Sequence, residues 1–480
     1  MPTADTAPNF RYEDLAGFIA GLIERGTLTP GSRVPSLREI SRQRRTSVTT
    51  ALQAYRLLED RGLIEARPQS GFYVAQARHA IAAPAKSRPP ARPTDVAVPA
   101  VMLKLLEHAA DPKLVPLGCA IPSPQLLDSG ALDRCLARVA RVKGAKHNTY
   151  TPPRGELSLR REIARRALRV GHAVAPDDLL ITCGCTEALS LALRALARPG
   201  DTVAVESPTY FGLLQVLQSL GLKALELPTD ARTGVDLDAL DNACGNHEVA
   251  ACVLASCFHN PLGCTMDEAK KLEVLAVLGR HCVPLVEDDI YGEIGFGAER
   301  PRPFAALDPR AAVIYCSSFS KTLAPGYRVG WVAASERFMP RLIEAKVAST
   351  LCGPVLPQLA LAEFLASGGY DHHLRRLRRV FQDTLHRLVV AIEQSFPPGT
   401  TVSQPAGGFV LWVELPKAVD TRRLFVEALE QGICFAPGVV FSASGRYGRC
   451  LRLSGGYGWS PRLDRGVRAL GRLATASGET

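Results

Sequence analysis

Apolar residues recur at helical spacing from Tyr12 to Ile23, and the segment "GTLTPGSRVPS" then punctuates the chain with glycine and proline. Ser36 stands where an N-cap would open a short helix running through Ser41. Thr46 or Ser47 can cap a longer helix whose Ala51, Ala54, Tyr55 and Leu58 share one face, with Gly62 to close it. "GLIEARPQSGFYVA" reads as two short strands about a Pro-Gln-Ser-Gly tip. Three helices and a β-wing predict an α+β winged helix-turn-helix over residues 1–75.

Residues 76–112 are rich in Ala, Pro and Arg and offer little before Val101 that could pack, which predicts a linker. As a loose coil, about 35 residues reach roughly 30 Å, close to the ~34 Å between half-sites one duplex turn apart. Beyond Asp177 the pattern alternates. "DLLIT", "DTVAVES", "ACVLAS", "VPLVEDD", "AVIYCSS" and "GWVAAS" read as strands, and helices are expected at Thr186 to Arg198, Tyr210 to Leu220 and Asp267 to His281. The chain is therefore expected to be multidomain, with an α/β domain over 113–480 built on a mainly parallel sheet. Ligands of such a sheet gather at the carboxyl ends of its strands. "HHLRRLRR" at 372–379 reads as a solvated helix face.

Composition narrows the class. With 480 residues, 46% hydrophobic content and a mean hydropathy of +0.04, the chain can bury a large core. No apolar run reaches the roughly 18 residues of a bilayer span, and "MPTADTAPNFRYEDL" lacks the basic start and apolar middle of a secretion signal, so a cytoplasmic location is expected. The 13 cysteines are scattered and never form CxxC, which argues for reduced thiols and against a zinc or other metal site. The formal charge of +10 gains meaning only where cations converge. They do so between Arg33 and Arg45, where Arg33, Arg38, Arg42, Arg44 and Arg45 face one acid, Glu39.

Four loops after predicted strands carry the candidate chemistry. "ITCGCTEALS" places Gly184, Cys185 and Thr186 at a helix start, where free N–H groups and the helix dipole favour a phosphate. "SSFSKTLAPGYRVG" adds the hydroxyls of Ser318 and Ser320, the amine of Lys321, and Arg328 as a phosphate clamp. A lysine at a strand end near another cation loses proton affinity and becomes nucleophilic toward an aldehyde. Asp288 can keep a pyridine nitrogen protonated, Tyr291 and Asn260 can bond a phenolic oxygen, and Tyr210 can stack on a ring. Each fragment alone is more often structural; their joint presence is what points to one ligand.

In these motifs and their order, residues 113 to 475 resemble the fold-type I aminotransferases, which carry pyridoxal 5'-phosphate (PLP) on a lysine. The resemblance implies a large sheet domain with a smaller C-terminal subdomain, and assigns Lys321 to the internal aldimine. It also assigns Asp288 to the pyridine nitrogen, Asn260 and Tyr291 to the ring oxygen, and Gly184 to Thr186, Ser318, Ser320 and Arg328 to the phosphate. "YTPPRGELSLRREIA" resembles the segment whose tyrosine, here Tyr150, reaches the neighbouring subunit's cofactor, so a homodimer is implied. Arg452 in "CLRLSGG" matches an arginine that grips a substrate carboxylate, and Gly118 in "PLGCAIPSP" a glycine beside the substrate. Cys185 departs from the family's usual hydroxyl residue, which puts one phosphate hydrogen bond in doubt.

From Tyr12 to Val74 the chain resembles the winged helix of the GntR regulators. Helix-turn-helix geometry would bring Ser47, Thr49 and Thr50 to the major groove, with Arg33, Ser36 and Arg38 near phosphates, Arg44 and Arg45 as phosphate clamps, and the wing tip, Ser70 and Gly71, near the minor groove. Val48 can touch a thymine methyl but cannot bond guanine. Together the halves resemble the MocR subgroup, which implies a head-to-tail homodimer, a double-stranded DNA operator, and an amino acid, amine or vitamer as effector. The leading expectation is a PLP-dependent transcription regulator; the alternative is a working aminotransferase carrying a DNA-binding head.

Overall fold

The computed structural model describes residues 11–29, 31–60, 63–67, 70–74, 81–97, 99, 101–108, 111–127, 129–142 and 148–479. The chain divides after Ile81 into two compact units.

The first unit holds helices α1 (Arg11–Glu24), α2 (Leu37–Gln43) and α3 (Val48–Asp60) and an antiparallel wing of β1 (Ile64–Arg67) and β2 (Gly71–Val74). Its core is the apolar stripe of α1, with Leu15, Ala16 and Ile19, set against Ala51, Ala54, Tyr55 and Leu58 of α3. Burying each large side chain contributes roughly 1.5–3 kcal/mol. Tyr55 ties three elements together, donating to the Pro35 carbonyl at 2.6 Å and meeting Phe72 of the wing edge-on at 5.0 Å. Ser36 opens α2 in a reciprocal capping box with Glu39. Of the two cap candidates for α3, Ser47 fills the role, accepting from the Thr50 amide at 3.0 Å. Gly62, expected to close α3, and the Pro68 and Gln69 part of the wing tip lie outside the described residues.

The second unit runs through β3 (Thr94–Asp95), α4 (Val101–Glu107), β4 (Val115–Pro116), α5 (Ser129–Val142), α6 (Leu157–Ala167), β5 (Leu179–Thr182), α7 (Cys185–Leu196), β6 (Thr202–Ser207) and α8 (Phe211–Ser219). It continues with β7 (Lys223–Asp230), β8 (Gly234–Val235), α9 (Leu237–Asn246), β9 (Val249–Leu254), α10 (Glu268–Arg280), β10 (Leu285–Asp288), β11 (Val313–Ser318) and β12 (Gly330–Ala333). The large sheet has the order β3-β7-β6-β9-β10-β11-β12-β5, with β8 on β7. From β7 to β11 neighbours are parallel, as expected, but β12 is antiparallel to both β11 and β5, and β3 and β8 are antiparallel to β7. The sheet is therefore mixed.

That reversal positions the site. Because β12 runs backwards, its first residue Gly330 pairs with Ser318 and Thr182, the last residues of β11 and β5. The loop carrying Lys321 and Arg328 thus leaves and re-enters the sheet at one edge.

The smaller C-terminal part contains α11 (Met339–Ser349), α12 (Val355–Ala366), α13 (Gly369–Ser395), β13 (Thr401–Val402), β14 (Val410–Glu414), α14 (Thr421–Glu430), β15 (Ile433–Cys434), β16 (Ala436–Pro437), β17 (Cys450–Ser454) and α15 (Pro461–Glu479). Its sheet has the order β13-β14-β17-β16, and β15 pairs with β4. The basic run at 372–379 lies on α13. There Arg375 and Arg379 are exposed, while Arg376 and Arg378 donate to the Leu126 and Glu293 carbonyls.

The stretch expected as a loose linker, 76–112, departs from that expectation from Ala82 onward. The Ser87 amide donates to the Thr229 carbonyl and its Oγ accepts the Thr229 amide, β3 adds to the edge of the large sheet, and Met102 and Leu105 of α4 are buried. Composition alone hid this, because prolines and arginines dominate the segment while Ser87 and Val96 do the docking.

Among the described residues no helix is long and apolar enough to cross a membrane, and no cluster of three or more ligating side chains could hold a metal. All 13 cysteines are free thiols.

Candidate cofactor site and DNA-reading surface

The carboxyl ends of β5, β6, β9, β10 and β11 open into a cavity of about 170 Å³. Its lining brings together Cys185, Thr186, Tyr210, Asn260, Asp288, Tyr291, Ser320, Lys321 and Arg328, nine of the residues singled out in the sequence.

Lys321 follows β11 and donates from Nζ to the Ala120 carbonyl at 2.6 Å, so the segment carrying Gly118 holds the amine. Burial and the nearby Arg452 cation lower its pKa to about 8, leaving a substantial neutral fraction near physiological pH. Asp288 ends β10, and burial raises its pKa to about 6. Cys185 begins α7 and points its thiol at Asp288, Sγ to Oδ1 at 3.5 Å, rather than offering a hydroxyl to phosphate. Burial and the Asp288 charge keep this thiol well above its ordinary pKa, so it donates.

Gly184 caps α7 with φ 90°, a backbone region that side chains avoid. A Cβ there would lie 2.5 Å from Arg328 Nη2, which itself donates to the Cys183 carbonyl at 2.8 Å. The guanidinium therefore lies beside Gly184 at the helix start, where a phosphate would meet both the helix dipole and a cation. Gly184 and Ser318 are the phosphate candidates outside the cavity lining; the Ser318 Oγ accepts the Ser320 amide at 3.2 Å and shapes the turn that presents Ser320 and Lys321.

Arg452, on β17, is fully buried beside the cavity. It donates to Asn260 Oδ1 at 3.1 Å and to the Gly118 carbonyl, and its charge lies 5.2 Å from the Phe441 ring centre. Gly118 is used as a close approach, since a Cβ would meet Leu105 at 2.6 Å and Cys434 at 2.8 Å. Tyr150 lies outside this cavity and is 82% exposed.

Glu206, Thr209 and His259 also line the cavity and carried no role in the sequence reading. Glu206 accepts the Ala255 amide at 2.7 Å and lies 3.5 Å from His259 Nε2. Burial drives Glu206 up to about 8 and His259 down to about 3, so a neutral acid faces a neutral imidazole. The signal was an ionisable residue inside "DTVAVES", a strand that a parallel sheet buries on both faces.

The donor set fits PLP. The Ser320 hydroxyl, the Tyr291 hydroxyl and Arg452 Nε are buried with no hydrogen-bond partner among the described residues. Buried donors of that kind are normally satisfied, and a phosphate, a ring oxygen and a carboxylate are acceptors of the right chemistry for them.

The expected DNA-contacting residues divide. Arg33, Arg38, Arg45, Ser47 and Thr49 are exposed. Arg44 is also exposed and stacks over Phe18 at 3.9 Å, which fixes its direction. Ser36 spends its backbone amide and a lone pair on the capping box, and the Thr50 hydroxyl is tied to Ser47 Oγ at 2.8 Å. At the wing, Ser70 pairs with the Tyr73 hydroxyl at 2.6 Å, and Gly71 is exposed beside Arg33. Val48 is 49% exposed.

Comparison with known proteins agrees with both halves. Residues 126–469 match the family "Aminotransferase class I and II", and residues 11–74 match "Bacterial regulatory proteins, gntR family". The HTH-type transcriptional regulator YdcR of Escherichia coli K12 is 39% identical over 464 residues, covering 96% of this chain and 98% of its own. The 2-aminoadipate transaminase of Thermus thermophilus is 32% identical over 77% of this chain and 92% of its own. The crystal structure of LysN, the alpha-aminoadipate aminotransferase of Thermus thermophilus complexed with N-(5'-phosphopyridoxyl)-L-leucine, superposes with a TM-score of 0.74 at 31% identity, over 79% of this chain and 95% of that one. PLP is the cofactor that this fold and its donor set imply. The chain belongs to the class I and II aminotransferase family and, with its GntR reader, is a transcription regulator of the MocR type.

Proposed function

We propose that this regulator senses an amino acid, an amine or PLP itself at Lys321 and adjusts its grip on an operator accordingly. The observation that carries the reading is the pairing of a lysine with lowered proton affinity and a buried arginine with a spare Nε donor at one cavity. When bound, PLP supplies an aldehyde that captures amines and a ring that draws electrons from them. Lys321 is the residue to which it would be attached. Gly184, Thr186, Ser320 and Arg328 would hold its phosphate, Asp288 its ring nitrogen, and Asn260 and Tyr291 its ring oxygen. Tyr210 would cover one face. Arg452, fully buried, would bind an effector carboxylate.

A homodimer, arranged head to tail, suits Tyr150, which is exposed and lies outside the cavity of its own chain. A cytoplasmic location suits a DNA-binding regulator of this kind. A tenfold change in operator affinity needs only about 1.4 kcal/mol of differential binding between two states. The test is a DNA footprint with and without PLP and a panel of amino acids, with turnover measured in the same preparations. A footprint that shifts with ligand while transamination stays below about 0.01 per second supports the regulator. Turnover of about 1 per second or more, with an unresponsive footprint, supports the working aminotransferase instead.

A further inference from the structure

The segment that continues from the reader into the body is fastened to the wall of the cofactor cavity by a buried polar junction. Ser87 donates from Oγ to the Ser207 carbonyl at 2.5 Å and accepts the Thr229 amide at 2.8 Å. Ser207 in turn donates to Glu226 at 2.8 Å and pairs with the Tyr447 hydroxyl at 2.7 Å, while Ser442 and Ser444 donate to the other Glu226 oxygen. Ser87, Ser207, Thr229, Glu226 and Ser442 are all buried, so water cannot replace a hydrogen bond lost among them. Other ties hold the segment as well, namely the Ser87 amide on the Thr229 carbonyl, the Val402 amide on the Ala82 carbonyl, buried Val96, the two-residue β3 ladder and half-exposed Lys86 on Asp236, but the Ser87 hydroxyl is what bonds the segment to Ser207.

The junction touches the cavity on two sides. Thr209 and Tyr210, two and three residues after Ser207, line it. The Thr209 amide donates to the Phe441 carbonyl at 2.8 Å, and the Phe441 ring lies by the Arg452 guanidinium. Whatever settles against Tyr210 or draws on Arg452 therefore bears on Ser207 or Ser442.

We propose that Ser87 is a positioning residue that passes the state of the PLP cavity to the segment 82–96, and so along the chain toward the DNA reader. This rests on the sensing function above and names its route. A packed junction of this kind has discrete arrangements rather than a continuous give, so a small shift at Ser207 re-seats Ser87 or releases it.

The experiment measures amide hydrogen exchange in the full chain, stripped of cofactor and then loaded with PLP, for wild type, Ser87→Ala and Ser87→Thr. In wild type, loading should change exchange across 82–96 by about threefold or more. In Ser87→Ala the visible absorption band and the exchange change at Tyr210 and Phe211 should persist while the change at 82–96 is lost, and Ser87→Thr, which keeps the hydroxyl, should restore it. A normal band with 82–96 indifferent to PLP in wild type overturns the proposal without any variant, as does a full response in Ser87→Ala. Failure of the wild type to take up PLP at all is a separate result, and it overturns the sensing function itself.

Discussion

Arg452 Nη1 lies 3.1 Å from Asn260 Oδ1, so the carboxylate-binding candidate and the ring-oxygen candidate are hydrogen-bonded to each other. Arg452→Gln should therefore act twice. It should weaken the amino-acid-induced change in the visible spectrum by roughly 10- to 100-fold, the worth of a charge-assisted bond, while also loosening Asn260. Titration of that spectrum with amino acids checks the first effect, and a PLP titration that weakens by a smaller factor checks the second.

Lys321→Ala should abolish borohydride-trappable PLP, which intact-mass measurement reads directly. In the wild type the rate of trapping should follow the neutral amine. With a pKa near 8, lowered from its ordinary value, the amine is protonated below that pH, so the rate should fall roughly tenfold per unit there and level off above. A flat profile between pH 6 and 9 contradicts the assignment.

Gly184→Ala places a Cβ against the Arg328 guanidinium and a left-handed backbone under strain. PLP affinity should drop by about tenfold or more, since strain of this kind is worth about 1–3 kcal/mol. Inorganic phosphate should protect the wild type against heat more than it protects this variant.

On the reader, Arg38→Ala and Ser36→Ala should behave differently although the two residues are neighbours. Loss of an exposed phosphate contact lowers the salt slope of DNA binding by about one. Loss of the capping box costs about 1 kcal/mol of stability and should leave that slope alone. Fluorescence anisotropy at several salt concentrations, with thermal melts, separates them.

Most of the cavity was legible because strand-end motifs announce themselves: Asp288, Lys321 and the glycine before α7 each follow a β-rich run. What sequence could not show was direction and partnership. Nothing in "GWVAAS" says that β12 runs backwards, since its mostly buried, apolar residues would suit either direction. The thiol of Cys185 found Asp288, 103 positions away, and Ser87 found Ser207, 120 away; local pattern carries no record of such pairs. Ser36 and Thr50 were placed correctly on their elements, but the same hydroxyls that suit a phosphate or a base also suit a helix start.

The edge position of β3 has a practical outcome for anyone who would divide this molecule. A body cloned from residue 113 would lack Thr94 and Asp95, leaving the flank of β7 with unsatisfied amides and carbonyls, an invitation to intermolecular strand pairing. Chimeras that exchange the reader should be spliced upstream of Ala82, where the graft leaves that flank covered.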